Sequence, residues 1–267
     1  MATESSDHDC DSRLSTLTSL SATKTEPIGK AIAWFYSSMS INSRTTVADT
    51  TIRAVLFDRD GVLTSFDLGA AARFFQPLLP ISVLELSKRW QAFGEATGFP
   101  RNSPEEKLFF AAFWQQLGDE FSLSSDQRAR LECLDYARFV VPYPEVQSVL
   151  TQLRMCGIQL GVLSNFSLAS LEHSLVITGL APYFSTMCAA PVIGAAKPSP
   201  QAYEIALNGL GVNPQECLFF DDEIECVEGA RQIGMRAYMV NRRAPVHSIE
   251  NAIVADLVVV PSLVRHE

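Results

Sequence analysis

From Pro142 onward the chain alternates between helical and strand patterns, and few folds accept that order. "YPEVQSVLTQLRMCG" puts Val146, Val149, Leu150 and Leu153 on one helical face and closes at Gly157. "IQLGVLS" reads as a buried strand, "SLASLEHSLVITG" as a helix and "TMCAAPVI" as a short strand. "SPQAYEIALNGLG" is a helix with Ser199 as its cap, Pro200 at the first position and Tyr203, Ala206, Leu207 and Leu210 inward. "CLFF" is a strand, "IECVEGARQIG" a helix, and "RAYMV" and "DLVVV" are strands. Strands separated by helices predict an α/β fold, a Rossmann-like parallel sheet with helices on both faces.

One more strand, "AVLF", opens this pattern far upstream. Between it and Pro142 the text is helical. "ISVLELSKRWQAFGEA" carries Val83, Leu84, Leu86, Trp90 and Phe93 near helical period. "SPEEKLFFAAFWQQLG" starts with Ser103 as its N-cap and Pro104 at the first helical position, has two glutamates in its first turn and ends at Gly118. "SSDQRARLECLDYARF" reads as a third helix, and no β alternation appears. This block is therefore an inserted all-helical cap, expected as a lid over the sheet's carboxyl edge. The boundaries read as 1–50 for an N-terminal extension, 51–65 with 141–267 for the core, and 66–140 for the cap.

The extension, rich in Ser, Thr and Asp, reads as a flexible arm, with a short amphipathic helix over "IGKAIAWFYSSM". An organelle transit peptide is the sharper reading of this arm, and its acidic start counts against it. Hydrophobic residues make up 47% of the 267, enough for a sizeable core. A net charge of −9 argues against nucleic acid or an anionic membrane as the main partner. No apolar run approaches the roughly 20 residues of a membrane span. The six cysteines have no CxxC or Cys/His ligand spacing, so they read as reduced core residues of a cytoplasmic protein. Oligomeric state has no signature.

Four polar clusters sit at predicted strand ends: Asp58 and Asp60, Ser164 and Asn165, Lys197, and Asp221 with Asp222. Each alone has an ordinary explanation as a cap, a turn or a solvated charge. In a parallel sheet, however, these ends share one edge, so the four clusters can converge. Carboxylates at two strand ends point to a hard cation, Mg²⁺ by its preference for oxygen ligands and phosphate. A carboxylate there can attack phosphorus, a role that suits Asp58. A second carboxyl, Asp60, can protonate the leaving oxygen and then activate water. Ser164 and Lys197 would face the phosphoryl oxygens, and Gly61 would permit a tight turn with N–H groups toward the phosphate.

In order and spacing, "FDRDGVL", "LSNF", "AKPSP" and "FFDDEIECVEGARQIGM" resemble the haloacid dehalogenase-like hydrolase superfamily over residues 51–262. The resemblance implies a Rossmann-like core, a helical cap, Mg²⁺ dependence and usually phosphatase activity on a small phosphorylated metabolite. It implies Asp58 as nucleophile and Asp60 as acid/base. Ser164, its neighbour Asn165, and Lys197 would form the phosphate site. The metal would be held by Asp58, the main-chain carbonyl of Asp60, and Asp222 with Asp221 assisting. The second aspartate of the first motif favours phosphate esters over carbon–halogen bonds. Arg59 stands where relatives are often apolar, Glu223 where a small residue is common, and Cys226 where Asp or Asn often follows. Cys226 is a poor Mg²⁺ ligand. The "DRDG" string is also similar to histidinol- and heptose-phosphate phosphatases, which carry Cys/His zinc spacings absent here. A sugar phosphomutase of the same superfamily and a degenerate, non-catalytic binding protein are the competing readings. A receiver-type signalling domain places its acidic pair and nucleophile in the opposite order. His173 and His247 read as surface or capping residues, and Trp90, Phe109, Phe110, Phe113 and Trp114 as cap core. Arg73, Lys88, Arg89, Arg101 and Lys107 read as solvated cap charges, one of which would serve a second anionic group.

Overall fold

Val55 and Phe57 turn to one side of the first strand and Ala54 and Leu56 to the other, and all four are buried. A strand with two apolar faces must lie inside a sheet covered on both sides. The computed structural model, which describes residues 51–265, puts it there. In chain order the strands are β1 (Ala54–Phe57), β2 (Thr64–Phe66), β3 (Val140–Pro142), β4 (Gln159–Ser164), β5 (Thr186–Ala189), β6 (Cys217–Asp221), β7 (Arg236–Val240) and β8 (Ile253–Val254). Six of them form one parallel sheet in the order β5-β4-β1-β6-β7-β8. The helices are α1 (Leu68–Phe75), α2 (Val83–Thr97), α3 (Ser103–Glu120), α4 (Ser125–Glu132), α5 (Val146–Met155), α6 (Leu171–Ile177), α7 (Ala190–Ile193), α8 (Pro200–Leu210), α9 (Ile224–Gln232) and α10 (Val260–Leu263).

On one sheet face Val55, Phe57, Val162 and Phe220 pack against Val149, Leu150 and Leu153 of α5, Leu175 of α6 and Val260 of α10. On the other, Leu56, Leu163 and Phe219 meet Tyr203, Ala206 and Leu210 of α8 and Val227 and Ala230 of α9. Helices α1–α4 lie between β2 and β3 and have their own apolar cluster, including Phe75, Leu86, Phe113, Trp114, Leu117 and Leu131. Phe109 is buried, while Trp90 and Phe110 pack partly buried against that cluster. Of the cations in the helical block, Arg89 is tied to Glu85 and Glu120.

Several local expectations need correction. The cap of α3 is Asn102, whose Oδ1 accepts the Glu105 N–H at 2.9 Å, so Ser103 is the first helical residue, and the helix runs past Gly118 to Glu120. β2 and β3 form a short antiparallel stem joining the helical block to the sheet, and three residues each are too few to display alternation. The helix expected across "SSDQRARLECLDYARF" stops at Glu132; Asp135 then accepts the Ala137 N–H at 2.9 Å and starts a 3₁₀ turn over Tyr136–Phe139. In "TMCAAPVI" the strand ends at Ala189, and Pro191 sits in the first turn of α7. The last strand is Ile253–Val254 rather than "DLVVV", because Asp256 folds back to accept the Val258 N–H at 2.8 Å and the chain then enters α10 at Val260, with Pro261 in its first turn. Cys188, Cys217 and Cys226 are buried as expected. Cys133 and Cys156 are exposed, each at the C-terminal end of a helix, and all five are unpaired. The readings for residues 1–50 lie outside the described residues. No helix among the described residues is long and apolar enough to cross a membrane.

Candidate active site

Strand register assembles the site. Phe57 is level with Val162 on one flank and with Phe220 on the other. One residue on, Asp58 leaves β1 beside Asp221 at the end of β6, and its N–H donates to the Phe220 carbonyl at 2.8 Å. Ser164 ends β4. Lys197 reaches in from the loop before α8, and its Nζ donates to Asp58 Oδ1 at 2.7 Å and Asp221 Oδ2 at 2.6 Å. All seven residues named from the sequence line one cavity of about 350 Å³, with Gly61, Phe166, Ser167 and Glu223. No residue of 66–140 is among those lining it.

Each side chain has a defined posture. Asn165 donates from Nδ2 to the Lys197 carbonyl at 2.9 Å and accepts the Lys197 N–H at 2.8 Å, so its amide holds the Lys197 backbone rather than the cavity. Ser164 Oγ accepts the Phe166 N–H at 3.2 Å, which leaves its own proton to donate. Asp221 Oδ1 accepts the Glu223 N–H at 2.9 Å. The half-exposed Asp60 carboxylate turns to Arg59, which donates to its two oxygens at 3.1 and 2.6 Å.

Asp58, Asp221 and Asp222 each place a carboxylate oxygen within 4.8 Å of the others. Crowding and lost hydration penalise that much negative charge. Burial, helped by Asp221 and Asp60 and opposed by Lys197, pushes Asp58 up to about 7. Burial also raises Asp221, against Lys197. Asp222, open at the rim but backed by protein, goes up to about 6 through partial loss of hydration and the nearby Asp221. Burial opposes the Lys197 ammonium, yet Asp58 and Asp221 outweigh it and hold the charge well above the usual lysine range. An all-oxygen donor set of raised carboxylates fits a hard divalent cation such as Mg²⁺. The neighbouring Cys226 is buried, its thiol pushed up by burial, and its Sγ donates to Glu223 Oε2 at 3.3 Å. A thiol in that state offers a cation little.

The turn after β1 is wound tightly. Gly61 has φ +74° and donates to the Thr64 carbonyl at 2.8 Å, while the N–H groups of Leu63 and Thr64 converge on the Arg59 carbonyl. Arg242, after β7, pins this loop through the carbonyls of Gly61 and Val62, pairs with Glu145 and stacks on Tyr143 at 3.8 Å. Sequence reasoning missed Arg242: a loop arginine followed by another arginine carries no periodic signal. It noted Arg59 only as unusual. His173 pairs with Asp135 at 2.7 Å and His247 accepts the Ala255 N–H at 3.1 Å, the surface and capping roles expected.

A parallel sheet with a charged cluster of this kind at its carboxyl edge, and a helical block inserted after the first strand, defines a class of α/β hydrolases. Residues 52–234 match the model of the haloacid dehalogenase-like hydrolase family, and the chain belongs to that family. It is 38% identical over 192 residues to "Phosphatase MT3486" of Mycobacterium tuberculosis, covering 72% of this chain and 88% of that protein. It is 31% identical over 202 residues to "(S)-2-haloacid dehalogenase 2" of a Pseudomonas species, covering 72% and 84%. Among solved structures, a HAD phosphatase from Thermococcus onnurineus superposes with a TM-score of 0.54 at 25% identity, over 81% of this chain and 99% of that one. L-2-haloacid dehalogenase from Xanthobacter autotrophicus has the same fold, with a TM-score of 0.57 at 20% identity over 80% and 99%.

Proposed function

We propose that this hydrolase is a Mg²⁺-dependent phosphatase of small organic phosphate monoesters, working through an aspartyl phosphate on Asp58. The observation that carries this reading is the pair of carboxyls on one turn: Asp58 on the cavity floor against Lys197, and Asp60 at its mouth. A halide leaves as an anion and needs no proton, whereas an alcohol leaving phosphorus does. As a proton donor to the leaving group, Asp60 has work in the second reaction and none in the first.

Asp58 attacks phosphorus, the bond to the leaving oxygen breaks, and Asp60 gives that oxygen its proton. Asp60 then takes a proton from water as the water attacks the aspartyl phosphate, releasing phosphate and restoring both carboxyls. Ser164 and Lys197 face the phosphoryl oxygens, where negative charge grows; the N–H groups of Gly61, Leu63 and Thr64, expected to help them, are spent on carbonyls within the turn. Asp58, Asp222 and the Asp60 carbonyl would hold Mg²⁺ with Asp221 assisting, and the bound ion supplies positive charge against those oxygens. The block 66–140 serves as the lid on a core of 51–65 and 141–267, keeping stray water from the intermediate. The cavity's size suits a small metabolite, the net charge of −9 disfavours nucleic acid and anionic membranes, and five unpaired cysteines suit the cytoplasm.

The test is phosphate release from 4-nitrophenyl phosphate and a panel of phosphorylated metabolites with added Mg²⁺. Parent protein should turn over and Asp58→Asn should fall to background with its fold intact; equal turnover would refute the nucleophile assignment. The dehalogenase relative motivates a parallel assay for halide release from 2-chloropropionate, expected to be blank. Isomer formation from a sugar phosphate would select the mutase, and an inert parent protein the non-catalytic reading.

A further inference from the structure

Arg59 is only 2% exposed and heads the fully buried large side chains. A charge so placed needs partners around it. Nε and Nη2 hold the two Asp60 oxygens. Nη1 donates to Ser174 Oγ of α6 at 2.9 Å, and Ser174 spends its own proton on the Leu171 carbonyl, so its oxygen is free to accept. The guanidinium lies 3.8 Å over the Phe166 ring, and the Tyr136 hydroxyl faces it. Asp60 has little else to fix it: Thr64 Oγ1 is 3.5 Å away. An arginine locked by the core therefore decides where the Asp60 carboxylate sits.

The outer side of this cluster runs to the helical block. Tyr136 O–H donates to the Ser170 carbonyl at 3.4 Å, and its ring packs on Phe166 with centroids 5.3 Å apart. Ser170 gives its N–H to Glu106 Oε2 at 2.9 Å and its O–H to Oε1 at 2.5 Å. Glu106 belongs to α3 and is buried. One polar chain, Glu106–Ser170–Tyr136–Arg59–Asp60, buried at Glu106 and Arg59 and partly open between them, thus joins a carboxylate of the helical block to the half-exposed carboxylate at the cavity mouth.

We propose that Arg59 is a positioning residue for Asp60, and that the seating of α3 through Glu106 sets how firmly Arg59 holds it. The inference rests on the reading of Asp60 as proton donor. Its signature lies in the leaving group. An alkoxide needs the Asp60 proton in the first step, whereas 4-nitrophenolate departs without it. A misplaced Asp60 slows the first substrate more than the second, while general loosening of the fold slows both alike.

The experiment compares kcat/KM for glycerol 3-phosphate and 4-nitrophenyl phosphate in the parent protein, Arg59→Lys, Arg59→Met and Glu106→Gln. Arg59→Met should lose about 100-fold on the alkyl ester and no more than about tenfold on the aryl ester. Arg59→Lys should recover part of the difference, and Glu106→Gln should move the ratio the same way by about threefold, the size of one weakened hydrogen bond. Equal losses on both esters overturn the role of Arg59; an unmoved ratio in Glu106→Gln overturns the coupling to α3. Should Arg59→Met fail to fold, Arg59→Lys decides: its effect on the ratio must vanish in an Asp60→Asn background, and persistence there overturns the proposal. If the parent protein cleaves neither ester, the phosphatase reading has failed. The positioning claim then stands on thermal melts of the Arg59→Lys and Asp60→Asn pair, non-additive if it is right and additive if it is wrong.

Discussion

Replacing Gly61 with alanine strikes the site where it has least room. Gly61 sits at φ +74°, a region that costs an L-residue about 1–2 kcal/mol. The new Cβ would also lie 2.1 Å from Asp222 Oδ2 and 2.5 Å from its Cγ. Ordinary contacts begin near 3.4 Å, so the two groups must part by more than an ångström. The Gly61 backbone is held by the Thr64 carbonyl at 2.8 Å and by Arg242 at 3.4 Å, so the rim carboxylate is the partner that gives. Displacing one proposed cation ligand by that distance should weaken Mg²⁺ binding and kcat/KM by roughly 10- to 100-fold. The metal-free fold should lose only the backbone strain, a Tm drop of about 2–8 °C for a chain of this size. Calorimetric titration with Mg²⁺ and thermal melts with and without the ion separate the two effects. Gly98→Ala is the control: its φ is +91° with nothing within 4 Å of the added carbon, so it should show strain and unchanged Mg²⁺ affinity. Gly61→Ala binding Mg²⁺ as tightly as the parent protein would refute the argument.

Two more outcomes follow from the same geometry. Asp58 near 7 and Asp222 near 6 both lie above their unfolded value of 3.8, so the metal-free fold holds extra protons. Their contribution to stability is complete below that unfolded value and disappears as pH rises through 6 to 7. Metal-free Tm should therefore fall between pH 5.5 and 8, Mg²⁺ should restore it most at the alkaline end, and binding at pH 6.5 should release about one proton, read by titration in buffers of different ionisation enthalpy; no release would refute it. Gly229→Ala brings a methyl to 2.7 Å from Pro198 Cβ and 2.9 Å from its carbonyl oxygen, next to Lys197. It should cost about 1–3 kcal/mol in denaturant unfolding, and an unchanged midpoint would refute the close packing of α9 on that loop.

The parallel order of the sheet was readable because each segment announces its period locally and because crossover chemistry leaves one arrangement for strands parted by helices. The convergence of Asp58, Ser164 and Asp222 was readable for a related reason: each stands at or just past the end of a strand that the pattern locates, and the topology does the rest; Lys197 was placed with them although its strand ends at Ala189 and α7 intervenes. What stayed hidden depends on contacts between distant segments. Arg242 is identified by the carbonyls of Gly61 and Val62, some 180 positions away, and no local pattern encodes that meeting. Asn165 was placed with the phosphate by its position alone, yet its amide serves the backbone of Lys197. The stem of β2 and β3 and the break after Glu132 were lost to shortness, since three-residue strands and a side-chain cap leave almost no periodicity.

Charge counting ties these pieces together. Asp58, Asp60, Asp221 and Asp222 would carry four negative charges when ionised, and two cations touch them. Lys197 divides itself between Asp58 and Asp221, and Arg59 takes Asp60 whole. Asp222 is left without a cation, and it is one of the groups pushed upward. The imbalance is two charges, the charge of one divalent ion. Without that ion, burial first and then the neighbouring Asp221 and Asp60 favour the protonated form of Asp58 and push it up to about 7, against Lys197. With it, Asp58 would be free to ionise for the proposed attack, while Asp60, outside the acidic triad and in the grip of Arg59, would be left for the proposed proton transfer. On this argument the division of labour between the two carboxyls of one turn is set by which cation each one meets.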